Sequence, residues 1–378
     1  MKLSRNPILL AVTAVLLRTL VYKLASLPFG RFADAMCQFD CGWYLRIAAS
    51  GYGANADFAN YGALPHWVFF PLFPLLLRLP LAVFPNTGEL FGQEVAGLFA
   101  AGLLYLGFIL VALLYARRTR PALDQRLLLA VLILSPYSYF FSAVYTEGLF
   151  NLLLLGSLLL LAERRVLAAA ICTALLCATR PTGVIMLAPI AVERLTHLWR
   201  NWKSSDRIAL LGETLLPIAI APLGLSLFMT AQYVAIGDGL AFSHMQLLWN
   251  RHWVGPFAMM AQGLRAWDWS NLLDPRALPS QSYDAAWALI GLGLAGFLAW
   301  RRRFAEAWVT GASVLLPLAT GLDSMARFVA TSPFFLFTLA GAISRLQARW
   351  ALATVFVVLA LLQAATLGLW FVAANSAY

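Results

Sequence analysis

Long apolar segments alternate with short clusters of arginine along this sequence, and this pattern constrains its fold more than any other feature. A membrane-crossing α-helix needs roughly 17–25 residues, and the apolar segments predict about 11 crossings, several of them short. Hydrophobic residues make up 61% of the chain and charged residues 12%, whereas a soluble domain is about one quarter charged. The sequence therefore predicts an all-α polytopic membrane protein that forms a single domain over 1–378. The predicted spans are 7–27, 92–115, 127–141, 148–162, 166–179, 181–195, 208–236, 283–300, 304–320, 328–343 and 350–372.

The arginine clusters predict the orientation of the chain. Basic residues gather in short loops between the spans, as the positive-inside rule requires of cytoplasmic loops. This rule accounts for the net charge of +10 without a nucleic-acid partner. It places the amino terminus in the cytoplasm and the carboxyl terminus outside. The apolar run at 7–27 contains Arg18 and Lys23 and lacks a small-residue cleavage site, so we interpret it as a retained span.

Two long loops are predicted to face the exterior, at 28–66 and 237–282. The topology requires that the segment 66–84, which directly follows the first of these loops, does not cross the membrane completely. Its prolines, Pro71, Pro74 and Pro80, are expected to break helix continuity. We therefore predict a re-entrant or interfacial segment, with a hairpin of two spans as the alternative.

Ionisable side chains are predicted to converge at the outer face, where charges near a membrane suggest function. Each also has a structural explanation. Asp40 would cap the following helix, Glu147 would suit a helix amino terminus and Arg180 would reach the interface. Asp323 and Arg327 would form an ion pair four residues apart. The remaining candidates are Arg46, His66, Tyr145, His244, Arg251 and His252.

The cysteines and histidines give no indication of a metal site, because the sequence contains neither a CxxC pair nor a histidine cluster. Cys172 and Cys177 lie within an apolar run and are predicted to be buried. Cys37 and Cys41 have a spacing that allows a disulfide, although we favour free thiols.

Five stretches resemble the PIG-V family, the second mannosyltransferase of glycosylphosphatidylinositol (GPI) assembly, together with its bacterial relatives. They occur in the family's order over most of the chain, and the motifs FFPLFP and YTE-LF are the most distinctive. Phe39 stands where the family usually has tryptophan, and RPTG at 180–183 replaces the more usual RSNG. The stretches are FDCGWYLRIAASGYG (39–53), VFFPLFPLLLRL (68–79), SPYSYFFSAVYTEGLFNLL (135–153), ATRPTGV (178–184) and ARFVATSPFFLF (326–337).

The resemblance implies a GT-C type glycosyltransferase with interfacial or re-entrant helices in its outer loops. Such an enzyme would move a sugar, mannose by this likeness, from a polyprenyl-phosphate donor to a hydroxyl of a lipid or glycan acceptor, with inversion and without a cofactor. Asp40 corresponds to the catalytic base of the class. Cationic side chains would hold the lipid phosphate, in the expected order Arg327, Arg180 and Arg46.

The remaining polar candidates are assigned to substrate binding. Glu147 and Tyr145 would orient the sugar or the arginines, and His66 would contact either substrate. The outer loops would contribute further binding residues, namely Asp323, His244, Arg251 and His252.

The expected location is a bacterial plasma membrane with the site facing the periplasm, or the endoplasmic reticulum with a luminal site in a eukaryote. Three alternatives stay open at this point. They are a secondary transporter, a scaffold subunit without chemistry, and transfer of a sugar other than mannose.

Overall fold

The structure, a computed structural model, describes residues 7–53, 65–83, 92–202, 206–249, 251–268 and 281–376. Over these ranges the chain is helical and contains no β-strand. Short 3-10 turns at Leu27–Phe29, Pro65–Val68, Ser138–Phe141, Pro181–Met186 and Met245–Trp249 connect the helices. The α-helices are α1 Pro7–Ser26, α2 Phe32–Met36, α3 Cys41–Ser50, α4 Leu72–Val83, α5 Gln93–Thr119, α6 Gln125–Leu134, α7 Glu147–Ala162, α8 Val166–Cys177, α9 Leu187–Arg200, α10 Arg207–Ile220, α11 Leu223–Ile236, α12 Ala241–His244, α13 Pro256–Arg265, α14 Gln281–Trp300, α15 Phe304–Leu318, α16 Met325–Ala330, α17 Pro333–Ile343 and α18 Arg349–Ser376.

Four of these helices are long and apolar enough to cross a membrane: α1, α5, α14 and α18. The pair α10 and α11 is bent by 52° and would add a fifth crossing if it forms one span. A helix rises about 1.5 Å per residue, and the hydrocarbon core is about 30 Å thick. The other apolar helices, of 10–17 residues, are therefore short for a crossing on their own. The chain is thus a helical membrane protein with four or five evident spans in its described part.

Three predicted spans are not continuous α-helices, which differs from the sequence prediction, and each interruption lies at or next to a proline. The span 127–141 ends as a helix at Leu134, because Pro136 disfavours helical geometry at the preceding residue. The span 328–343 is divided between α16 and α17, with Ser332 extended immediately before Pro333. The span 181–195 begins as a 3-10 turn at Pro181. Hydropathy alone does not register these breaks.

The segment predicted at 66–84 consists of a 3-10 turn followed by α4. The prediction that its three prolines break the helix is wrong. Pro71 precedes α4, Pro74 lies in its first turn where proline is tolerated, and α4 continues through Pro80. The 12 residues of α4 rise about 18 Å. Whether the segment is re-entrant stays a prediction. Residues 54–64, 84, 250 and 269–280 of the predicted outer segments lie outside the described residues.

Buried apolar side chains fix the helices that carry the candidate residues. The largest cluster joins α5, α6, α7 and α17, and includes Phe108, Phe141 and Phe334. A second cluster packs α3 against α4 through Tyr44 and Phe73. Together they hold the connecting segments 37–40, 135–146 and 178–186 close to one another, and a further cluster packs Leu322 and Met325 against α14 and α15.

A separate polar cluster joins the end of α5 to the start of α15. The carboxylate of Glu306, buried at 3% exposure, accepts hydrogen bonds from Tyr115, Arg120 and Arg303 at 2.6 to 3.1 Å. Bidentate contact with two guanidinium groups satisfies both carboxylate oxygens. Two loop arginines, Arg120 and Arg303, therefore have a structural role in linking these helices.

Candidate functional site

Asp40 lies in a short turn that a disulfide closes. Cys37 and Cys41 are bonded, with their Cα atoms 5.2 Å apart, so the expectation of free thiols is wrong. The pair is compatible because one turn separates the end of α2 from the start of α3, a distance that a disulfide can bridge. Within the turn Phe39 has a φ of 50°, a left-handed conformation that is uncommon for residues other than glycine. The backbone beside Asp40 is therefore held in an unusual conformation by its surroundings.

Helix capping does not explain Asp40. The residue occupies the N-cap position of α3, but its side chain makes no capping hydrogen bond. Its φ and ψ of −65° and −18° are helical, whereas a capping residue is usually extended. Its backbone N–H instead donates to the hydroxyl of Tyr145 across 3.2 Å, and that hydroxyl donates to the carbonyl of Gln38 across 3.1 Å. The carboxylate of Asp40 is thus available for other contacts.

Asp40, Glu147, Arg180 and Arg327 form a charge cluster, as the sequence analysis expected. Nη2 of Arg180 donates to Oε1 of Glu147 across 2.6 Å. Nε of Arg327 lies 3.4 Å from the same oxygen, and its Nη1 lies 3.8 Å from Oδ2 of Asp40. Two carboxylates and two guanidinium groups from four segments therefore form a balanced set. Interface snorkelling does not explain Arg180, whose side chain is 20% exposed and ion-paired.

Aromatic rings enclose both arginines of the charge cluster. The guanidinium of Arg327 lies 5.0 to 5.4 Å from the ring centres of Phe140, Tyr145 and Phe328. Arg180 lies 5.5 Å from the ring centre of Phe150 and 5.7 Å from that of Phe328. Such rings attract cations and exclude water, which strengthens electrostatic interactions inside the site.

The charge cluster retains capacity for a further partner. Glu147 is 1% exposed, yet its Oε2 accepts no hydrogen bond from the described residues. Nε of Arg327 also lacks a bond of hydrogen-bonding geometry there. Buried polar atoms are nearly always paired. These two atoms therefore keep hydrogen-bonding capacity that the described residues do not use.

Burial raises the pKa of the Asp40 carboxyl above its ordinary value, while Arg327 acts in the opposite direction. One third of the Asp40 side chain is accessible to solvent. Burial and partial exposure are compatible if the carboxylate lies at the base of a recess, where water reaches it but protein surrounds it. A carboxylate in this setting is a better proton acceptor than one in free solution.

Arg251 faces the charge cluster from the second outer loop. It donates to the backbone carbonyl of Asp323 across 3.1 Å, and its Nε lies 3.9 Å from the carboxylate of Asp323. Its charge also acts on Asp40 and Arg327. The predicted ion pair between Asp323 and Arg327 is wrong, because α16 begins only at Met325 and Ser324 has a φ of 72°. The two side chains therefore do not lie on one continuous helix.

Four other candidates are not joined to the charge cluster by the contacts described here, and their assignment to substrate binding stays a prediction. Arg46 is exposed, with its guanidinium 5.6 Å from the ring centre of Trp43. His66 is fully buried beside Tyr52, and burial lowers the pKa of its imidazole. The other two are exposed in the second outer loop: His244, which contacts Asp238 at 2.7 Å, and His252.

Sequence reasoning missed three residues that support the charge cluster. Thr146 accepts a hydrogen bond from Nε of Arg180 across 2.5 Å. Asp284 and Asn151 bind the two ends of α16, which carries Arg327. A signal was present for Asp284, since a lone acid in an apolar span is costly and by default functional. Asn151 follows Glu147 by four residues and therefore shares its helix face.

An apolar groove lies beside α3, α4 and α11. Its volume is about 360 Å³. The guanidinium of Arg78 is its one charged lining group, and Ala178 in its wall precedes Arg180 by two residues. Among the described residues no three histidine, cysteine, aspartate or glutamate side chains are grouped as a metal site requires.

Comparison with known proteins gives no assignment for the chain, since no protein-family model and no curated protein matches it. The class that the structure itself defines is a helical membrane protein with a buried, charge-balanced polar site built at helix ends.

Proposed function

We propose that this protein is an inverting glycosyltransferase of the GT-C type, similar to the PIG-V family. It moves a sugar, mannose by that likeness, from a polyprenyl-phosphate donor to a hydroxyl of a lipid or glycan acceptor. The observation that carries the proposal is the position of Asp40, an accessible carboxylate with a raised pKa, beside Arg327. The proximity supports the proposal, because a carboxylate can accept a proton and a guanidinium group is suited to binding phosphate.

In the proposed reaction the Asp40 carboxylate removes the proton from the acceptor hydroxyl as its oxygen attacks the anomeric carbon. The bond between that carbon and the donor phosphate oxygen breaks, and the phosphate leaves with the bonding electron pair. Attack and departure occur on opposite sides of the sugar, so the anomeric configuration inverts. A positioned general base of this kind contributes about 10²- to 10⁴-fold to the rate.

Arg327 and Arg180 would stabilise the charge that develops on the lipid phosphate. Guanidinium groups suit this role because their planar fork binds two phosphate oxygens. Glu147 would hold both guanidinium groups in place through its Oε1, which both of them face. Its unpaired Oε2 would accept a hydrogen bond from a sugar hydroxyl. Tyr145, bonded to the backbone of Asp40, would fix the turn that carries the base.

The groove beside α3, α4 and α11 supports a lipid substrate. Its lining is mainly apolar, and Ala178 connects it to the helix end that carries Arg180. A polyprenyl chain in this groove would keep its apolar surface away from water, which is favourable. Its phosphate would then lie towards the arginines. Pro71, Pro74 and Leu75 of the segment 66–84 would in that case line the lipid chain.

The disulfide supports a site on the non-cytoplasmic side. Disulfides persist in oxidising compartments such as the periplasm and the endoplasmic reticulum lumen. Cys37 and Cys41 flank Asp40, so the base would face that compartment. This agrees with the orientation expected from the arginine loops, in an integral membrane protein of about 11 spans.

The test is a transfer assay with purified protein, labelled polyprenyl-phosphate mannose and a panel of lipid and glycan acceptors. We expect labelled product with wild-type protein and none above background with Asp40→Asn. Asp34→Asn is the matched control, since Asp34 is exposed in the same loop. Substrate counterflow in proteoliposomes that survives Asp40→Asn, without transfer, would instead establish a secondary transporter. Transfer from another polyprenyl-linked sugar would retain the mechanism and replace mannose.

A further inference from the structure

Arg327 lies on a helix that cannot hold itself in place. The helix α16 has six residues, far fewer than an isolated helix needs for stability in water. Its N-cap residue, Ser324, has a φ of 72° and makes no capping bond with its side chain. The orientation of Arg327 must therefore depend on contacts from other helices.

Asp284 supplies the missing cap at the amino terminus of α16. Its Oδ1 accepts a hydrogen bond from the backbone N–H of Ala326 across 3.0 Å. Asp284 lies on α14 and is 3% exposed. A negatively charged carboxylate at this end of a helix also interacts favourably with the positive end of the helix dipole.

Asn151 fixes the opposite end of α16. Its side-chain amide donates to the carbonyl of Thr331 across 3.1 Å, and the hydroxyl of Thr331 donates to the carbonyl of Arg327 across 2.7 Å. Asn151 lies one turn after Glu147 on α7. The helix that carries Glu147 thus also fixes the helix that carries Arg327.

We propose that Asp284 is a positioning residue that holds Arg327 against Asp40 and Glu147, with Asn151 acting at the other end of α16. The inference rests on the proposed function, since it assigns Arg327 to the lipid phosphate. A local serine or aspartate would be sufficient to cap a short helix. A buried carboxylate delivered from another helix is costly to desolvate, and it additionally fixes the position of α16 relative to α14.

The charges that face Asp40 make the positioning measurable. They are Arg327, Glu147, Arg180 and Arg251. Of these, Arg327 makes the largest contribution that favours the ionised carboxylate. If Arg327 moves away, the Asp40 carboxylate loses this support and binds a proton more readily. The acidic limb of kcat/KM would then move to higher pH.

The experiment compares Asp284→Ala and Asp284→Asn with Ser282→Ala. Ser282 is equally buried at the start of α14, but its hydroxyl bonds to Ala266 and Asp268 and not to α16. We expect Asp284→Ala to raise the KM for the lipid-phosphate donor and to lower kcat/KM by about 10- to 100-fold, as misplacement of about 1 Å does. It should also shift the acidic limb upwards. Asp284→Asn keeps an amide oxygen that can accept from the N–H of Ala326, so its defect should be smaller. Asp284→Leu, which has no acceptor, serves if the Ala variant does not fold.

A double variant separates positioning from general destabilisation. Asp284→Ala should add little to the defect of Arg327→Gln, because Asp284 acts on the site only through the position of Arg327. An unchanged donor KM and an unchanged acidic limb in the folded single variants would overturn the inference, even if the yield of protein fell.

A second measurement does not require sugar transfer. Phenylglyoxal modifies accessible guanidinium groups, and mass spectrometry reports the rate at Arg327. We expect faster modification in Asp284→Ala than in wild type or Ser282→Ala, and equal rates would overturn the inference. If wild-type protein transfers no sugar while this difference persists, the proposed function fails and the positioning stands.

Discussion

Arg180 donates from Nη2 to Oε1 of Glu147 across 2.6 Å, although 33 residues separate them in the sequence. Glu147 is 1% exposed, so this ion pair is formed almost without water. Removing two charges from water is unfavourable unless each is well paired. The pair therefore requires the other members of the charge cluster, and it connects the stability of this region to its proposed chemistry.

Replacing Glu147 with glutamine should leave both buried arginines without their shared counter-ion. Breaking one partner of a buried pair costs about 3–5 kcal/mol of folding free energy. We expect a corresponding fall in the thermal unfolding midpoint of Glu147→Gln and loss of sugar transfer. Glu163→Gln is the control, because Glu163 is exposed at the other end of α7. Equal stability of the two variants would contradict the structure of the charge cluster.

The rate of transfer should depend on pH through Asp40. Only the deprotonated carboxylate accepts a proton, so kcat/KM should rise with pH through the pKa of Asp40. Burial raises this pKa, which places the acidic limb above the ordinary value of 3.8. Arg251 favours the ionised form, so Arg251→Gln should move the limb to higher pH. Arg31→Gln is the control, at an exposed residue of the first outer loop, and should not move the limb. Equal shifts of the acidic limb in the two variants would refute the electrostatic assignment.

The disulfide beside Asp40 should be necessary for full activity. In the double variant Cys37→Ser and Cys41→Ser, the turn that carries the base is no longer closed. We expect transfer to fall by about 10- to 100-fold, as for other small misplacements of catalytic groups. A reductant should have the same effect on wild type and on Cys172→Ala, and no further effect on the double variant. Unreduced protein with two free thiols at these positions by mass spectrometry would disprove the bridge.

The cluster around Glu306 should contribute to stability and not to transfer. Glu306→Gln leaves Arg120 and Arg303 without their carboxylate, and we expect a loss of about 3–5 kcal/mol. The partners of Glu306 do not include any member of the charge cluster. Transfer per folded molecule should therefore equal that of wild type. A selective fall in kcat with unchanged unfolding would contradict this division of roles.

The helical class and the meeting of the charge cluster were predictable from the sequence. Apolar runs specify helices in a membrane, because no other open structure satisfies its backbone there. Asp40, Glu147, Arg180 and Arg327 stand out because each lies next to the end of an apolar run, where a charged side chain needs a partner. The distances between these four side chains could not be predicted from the sequence, since four separate segments have to be placed relative to one another.

Other features of the structure were not predictable from the sequence, for identifiable physical reasons. Arg46 follows the buried residues Tyr44 and Leu45 and precedes Ile47, and on a helix of 3.6 residues per turn it points away from them. The disulfide depends on the direction in which two short helices meet, which spacing does not fix. The supporting role of Asp284 depends on contact between α14 and α16, elements that are separated by α15.

The central claim is that Asp40 removes the proton of the acceptor while the arginines hold the donor phosphate. The most direct measurement is donor binding and sugar transfer by Asp40→Asn, with labelled polyprenyl-phosphate mannose. The account predicts that the variant binds the donor with an affinity close to that of wild type, and that transfer falls by about 10²- to 10⁴-fold. Transfer by Asp40→Asn at the wild-type rate would contradict it.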